Sequence, residues 1–142
     1  MQHDEMIGQV QALAQLPDRG SAERTARAVL RTLAERVPPG LAGHVAAQLP
    51  QPLAGSLTTA ADAAEREGAP PEHGEPFGLT VFTGRVAARA GTDEDAAVRR
   101  SAAVLEVLDA AVSPEVMEKL AAELPQDVRQ LLPVERARDA EG

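Results

Sequence analysis

The stretch AAQLPQPL at residues 46–53 returns as AAELPQDV at residues 121–128, and the spacing of 75 positions holds well outside those eight letters. Pro39, Leu41, Val45, Ala46, Leu49, Pro50 and Leu53 meet Pro114, Val116, Leu120, Ala121, Leu124, Pro125 and Val128. Upstream, Arg24, Ala28, Val29, Leu30, Leu33 and Val37 meet Arg99, Ala103, Val104, Leu105, Leu108 and Val112. Nearer the start the register becomes 76, pairing Asp4 with Thr80, Met6 with Phe82, Gly8 with Gly84, Val10 with Val86 and Ala14 with Ala90. One extra residue in the loop after the first helix explains the slip. The paired positions are chiefly apolar, so the repetition preserves a core pattern, and the chain must find a fold that buries the same faces twice.

Each copy reads as the same run of helices. The first starts at Asp4 or Thr80, both good N-cap residues. The second covers about residues 21–37 in copy one, where Ala22, Ala26, Val29, Leu30, Leu33 and Val37 recur at the three- and four-residue steps of an amphipathic helix. Its counterpart covers about 94–112, with Thr92 and Asp95 forming a variant of the capping box. The third is short. Ser113 is placed to cap it with Pro114 in the first turn, and Val116, Leu120 and Leu124 line one face, as Leu41, Val45 and Leu49 do in copy one. Pro50 and Pro125 stop this helix and open a fourth, bearing Leu53 and Leu57 or Val128, Leu131 and Leu132.

Between the copies lies DAAEREGAPPEHGEPFG, whose glycines and prolines break regular structure. The expected organisation is helical repeat one over residues 1–61, an acidic Pro/Gly linker over 62–76, helical repeat two over 77–133 and a polar tail over 134–142. A unit of this size with only two aromatics, Phe77 and Phe82, buries too little surface to stand alone. The expected fold is therefore all-α, with two tandem copies of a three-to-four-helix unit packed as one pseudo-symmetric helical domain.

These residues resemble a known family. A long apolar or aromatic residue ahead of GxV (Met6 to Val10, Phe82 to Val86), then AVLRTLAERV or AAVLEVLDAAV, then LPQPL or LPQDVRQLL, is similar to the pattern of the bacterial domain of unknown function 2267 family. The resemblance covers nearly the whole chain and implies an all-helical fold, with no activity and no functional residues to carry over. Copy one departs from the pattern at Pro52 and Gly55, where copy two has Asp127 and Gln130, which weakens the expectation of a fourth helix in copy one.

Composition narrows the function by exclusion. Cysteine is absent, so thiolate chemistry and disulfides are out. A net charge of −8 opposes phosphate backbones, so no nucleic-acid partner is expected. No stretch is apolar over the roughly 18 residues of a membrane span, and the N-terminus lacks the pattern of a leader, so a cytoplasmic protein with no membrane partner is expected. Heavy use of Ala, Arg, Gly, Pro and Val points to a GC-rich bacterial genome.

No reactive constellation emerges. His3, His44 and His73 have no mutual spacing of a metal site, and Glu72, His73 and Glu75 read as an acidic linker sooner than a cation site. The carboxylates of TDEDAAVRR are what the first turn of a helix favours; a cleft grouping Asp93 or Glu94 with His44 would be needed to make them catalytic. Neither a nucleophile elbow nor a phosphate-binding glycine loop is present. No catalytic residue, metal or cofactor is expected, and the protein is read as a non-enzyme.

One feature is asymmetric. Arg24, Arg27 and Arg31 follow one face of the second helix, where copy two has Arg99, Ala102 and Glu106. This stripe is the candidate partner surface, suited to an acidic protein. The bland alternative pairs Arg27 with Glu23 and Arg31 with Glu35 at four-residue spacing, simply solvating the face. The functional expectation is a non-catalytic helical interaction or regulatory adaptor module whose partner is another protein. The alternative is a small-molecule binder or sensor holding a small apolar ligand in a cleft between the repeats.

Overall fold

The computed structural model describes residues 1–66, 74–133 and 136. Among these, all regular structure is helical. In order the helices are α1 (His3–Leu13), α2 (Arg19–Arg36), α3 (Pro39–Ala46), α4 (Leu53–Arg66), α5 (Leu79–Ala90), α6 (Glu94–Ala111), α7 (Pro114–Glu123) and α8 (Gln126–Arg129).

Helices α2 and α6 are built alike. Each has 18 residues and begins after an aspartate whose carboxylate accepts a backbone N–H three residues on, Asp18 from Ser21 and Asp93 from Ala96, both at 2.7 Å. Asp93 thus does the work expected of Thr92. The reason is chemical: a carboxylate at the N-cap satisfies an orphan donor and also meets the positive end of the helix dipole. Both helices end on an extended valine, Val37 or Val112, whose N–H returns to Leu33 or Leu108. A proline in the first turn then starts α3 or α7. For α7, Ser113 is the cap, as expected from sequence, with its Oγ accepting from the Val116 N–H.

The first helices begin earlier than their expected caps. Asp4 lies inside the first turn of α1, and its carboxylate takes Arg19 at 3.1 Å instead of capping. At α5, Leu79 is the first helical residue, and its N–H donates to Asp127 Oδ2 at 2.8 Å. The cap of α5 therefore comes from α8, 48 residues downstream in the chain. The turns after these helices differ by two residues, one from the change of register and one because α5 runs a residue further than α1. Five residues separate α1 from α2 and three separate α5 from α6. The shorter turn uses Gly91 in the left-handed conformation, with φ 69°, where a side chain would clash with its own backbone.

The fourth helices reverse the expectation. Helix α4 is the long one, with 14 residues, and α8 has only four. Pro52 immediately precedes α4, where its missing N–H breaks no helical bond. In the second half Pro133 follows Leu132 closely and disfavours a helical conformation there, so Leu131 and Leu132 are buried from a turn. Helix α4 also continues to Arg66, five residues past the expected boundary at 61. Residues 67–73 of the expected linker, and the tail apart from Arg136, lie outside the described residues.

A single apolar core runs from Met6 to Leu132 and draws on both halves. Phe82, Leu30, Leu33, Leu53, Leu57, Leu105, Leu108, Met117 and Leu120 are essentially sealed from solvent. Helix α2 is its centre, packing on α1, α3, α4, α5 and α6. Small residues on its buried side, Ala22, Thr25 and Ala26, let the neighbours come close. Helix α6 packs on α1, α2 and α5, and α3 meets α7.

Two substitutions test this account. Leu124, buried at the end of α7, should cost about 2 to 5 kcal/mol when replaced by alanine, read as a drop in urea midpoint. Asp127→Ala should cost about 1 kcal/mol by uncapping α5, with hydrogen exchange quickening in the first turn of α5 rather than throughout the molecule.

Candidate functional site

Arg24, Arg27 and Arg31 are all exposed on α2, and all three line one cleft of about 670 Å³. Gly20, Glu23 and Ala28 complete the α2 wall, Pro52, Gly55, Ser56 and Thr59 form the facing wall on α4, and Arg89 enters from α5. The positions on α2 follow three- and four-residue steps, so one helix face supplies the whole wall. Four guanidinium groups against one carboxylate make this a strongly positive recess in an acidic protein.

Two of the four arginines are engaged. Arg27 Nη2 donates to Glu23 Oε1 at 2.9 Å, as the spacing on α2 predicts. Arg89 donates from both terminal nitrogens to the two oxygens of Glu35, at 2.7 and 2.8 Å, and also reaches Thr32 Oγ1 at 2.8 Å. That bidentate pairing fixes the guanidinium plane. Thr32 is buried and passes its own proton to the Ala28 carbonyl, so Arg89 is held by a continuous polar chain.

The expected pairing of Arg31 with Glu35 does not occur. Glu35 turns toward α5, where Arg85 joins Arg89 at 3.2 Å, and Arg85 in turn bonds Glu75 at 2.7 Å and covers the Phe77 ring at 4.2 Å. Two partly buried guanidiniums, one of them bidentate, outcompete a single exposed one on the same helix. Arg31 is consequently without a hydrogen bond or ion pair among the described residues. Arg24 likewise makes none, though after the hydrogen bonds from Ser21 its charge helps hold the Asp18 carboxyl below its usual range. The column they form with Arg27 is self-repelling, at a few tenths of a kcal/mol for each three- or four-residue like-charge pair.

The junction beneath the cleft is electrostatically tight. Burial works against ionisation of Glu35, but the hydrogen bonds and charges of Arg89 and then Arg85 outweigh it and hold the carboxyl below its usual range. The segment after the undescribed stretch is docked at the same place. Glu75 N–H donates to the Glu35 carbonyl at 2.9 Å, and Arg36 Nε donates to the Phe77 carbonyl at 2.7 Å. A Cβ on Gly74 would run into the Arg36 carbonyl, so only glycine fits this approach.

Other sequence candidates are not assembled into a site. His44 is exposed on α3, Asp93 Oδ1 is occupied by capping α6, and His3 sits near Asp4 and Glu23 at the start of α1. Glu72 and His73 lie outside the described residues, and Glu75 is taken by Arg85. Among the described residues no group of three His, Asp or Glu side chains is placed to hold a metal ion, and no helix is long and apolar enough to cross a membrane. Sequence reasoning found the stripe but missed Arg89 and the α4 wall. Arg85 and Arg89 share a helix face at four-residue spacing, which is legible; which helix they meet is not.

The chain belongs to the uncharacterized conserved protein family DUF2267, whose pattern it matches over residues 3–131. Comparison with curated proteins finds no match.

Glu35→Gln should cost about 1 to 3 kcal/mol at neutral pH, as charged hydrogen bonds in such settings do. The sign of its pH dependence follows from the depressed carboxyl. The contribution is complete above the ordinary value of 4.5 and is lost as pH falls through the lower folded value. Thermal midpoints of wild type and variant should therefore stay a constant distance apart from about pH 7 to 5 and converge below.

Proposed function

We propose that this protein is a non-catalytic helical interaction module, working in the cytoplasm as an adaptor or regulator, that receives an acidic segment of a partner protein in the α2–α4 cleft. The observation that carries the reading is the stripe of Arg24, Arg27 and Arg31, of which Arg24 and Arg31 make no hydrogen bond or ion pair among the described residues, in a recess of a chain whose net charge is −8. An acidic protein gains nothing for its own fold by holding like charges together there. A negatively charged partner would neutralise them and would be steered to this face despite the opposing net charge.

The scaffold reading goes with it. We take the two halves as repeats related by a pseudo-two-fold axis. Reciprocal packing supports this: α1 of the first half lies on α6 of the second, α5 of the second lies on α2 of the first, and α2 meets α6 as α3 meets α7. A second functional reading, a small-molecule binder or sensor, draws support from the cleft volume, which is within the usual range of ligand sites. The lining shifts the class of such a ligand from apolar to anionic.

The test compares partners captured from the native host by wild type and by the Arg24→Gln, Arg27→Gln, Arg31→Gln triple variant. The expected result is an acidic protein held by wild type alone, with capture weakening as salt rises from about 50 to 300 mM. An unchanged set of partners would rule out the stripe as the docking face.

A further inference from the structure

The form of the cleft says more about its occupant than its charge does. Building on the docking reading above, we propose that the cleft is shaped for an acidic α-helix, one that presents carboxylates at i, i+3 or i+4, and i+7 along a single face.

Three observations lead there. The first is register. Arg24, Arg27 and Arg31 climb α2 in steps of three and four residues, spanning about 10.5 Å at the helical rise. A helix laid alongside repeats those steps with its own side chains, so three carboxylates can meet three guanidiniums at once. An extended segment sets its same-side residues nearly 7 Å apart and falls out of step after the first pair.

The second is the floor. Beside the arginines the cleft is lined by small residues, Gly20 and Ala28 on α2 and Gly55 and Ser56 on α4. The molecule's own packing does not force the two glycines to be glycine. A Cβ on Gly55 would meet only Gln51 Oε1 at 3.7 Å, and one on Gly20 only Asp18 Oδ1 at 3.5 Å, both ordinary contacts. The space they leave admits the close approach of another helix, as small residues do wherever helices cross.

The third is the chemistry of the rim. Guanidinium groups bind carboxylates through two parallel hydrogen bonds, and Arg24 and Arg31 have their donors unspent on ion pairs among the described residues. Arg89 at the α5 end is pre-oriented by Glu35 and Thr32, and this bonding leaves part of its five-donor fork unused. A second copy of the chain is the poorer occupant. Its α7 offers Glu115 and Glu118 but has Ala122 at the third position of the face, and Lys119 already pairs with Glu115 at 3.6 Å.

The experiment uses the full chain and fluorescence anisotropy at fixed low salt with three probes: a helical alanine-based peptide with glutamates on one face at the stated spacing, an isomer of identical composition with the glutamates spread around the helix, and tripolyphosphate as competitor. The one-face peptide should bind about five- to tenfold more tightly than its isomer, as bidentate pairing in register requires. The triple Arg→Gln variant should abolish that preference. Thr59→Glu, which adds a carboxylate to the α4 wall without touching an arginine, should weaken the one-face peptide severalfold, with circular dichroism of both variants confirming the native fold. Equal affinity for the two peptides, both lost in the triple variant, would overturn the helix and leave the acidic docking face standing. Tripolyphosphate binding more tightly than either peptide would overturn it in favour of a small anion. A concentration-dependent dimer abolished by the triple variant would overturn it in favour of a second copy. Binding of every probe unaffected by the triple variant would bring down the docking face as well.

Discussion

Helix α2 is surrounded by α1, α3, α4, α5 and α6, and this crowding governs what each of its residues can be. Ala22, Ala26, Val29, Leu30 and Leu33 have almost no solvent contact. A core with two phenylalanines and neither tryptophan nor tyrosine cannot fill space with large rings, so it depends on close contact between helices lined by small and branched side chains. The three arginines stand on the strip of α2 that remains exposed.

The fate of Glu35 links the scaffold to the cleft. It has two oxygens and could have quenched Arg31 one turn earlier on the same helix. Instead it fastens α5 to α2 through Arg89 and Arg85, while the backbone after Gly74 folds over the same junction. The cohesion of the two halves and the positive character of the cleft thus have a common origin. A carboxylate committed to holding helices together is unavailable for neutralising the surface above it.

Much of this was legible in the sequence because helices announce themselves through apolar spacing and terminal residues. The all-helical fold, the burial of Leu49 and Leu124, the Ser113 cap and the prolines that separate the third and fourth helices follow from local rules. The failures share a cause. Asp93 rather than Thr92 caps α6, because neighbouring polar residues compete and sequence does not rank them. Helix α5 takes its cap from Asp127, and Glu35 takes its partners from another helix; both are long-range contacts that no local pattern encodes. Pro52 and Gly55 argued against α4, yet the proline falls just ahead of it and the glycine faces the cleft. The stripe of Arg24, Arg27 and Arg31 was visible as an asymmetry between otherwise matching halves, but its depth came only with the α4 wall.

The unequal fourth helices bear on valence. The long α4 gives the first half its second wall, whereas α8 stops after four residues, and the second half carries Ala102 and Glu106 where the first has Arg27 and Arg31. A chain written twice might be thought to bind twice and to bridge two partners. The stripe of Arg24, Arg27 and Arg31 has no counterpart on α6, so a partner received there as proposed would bind once per molecule.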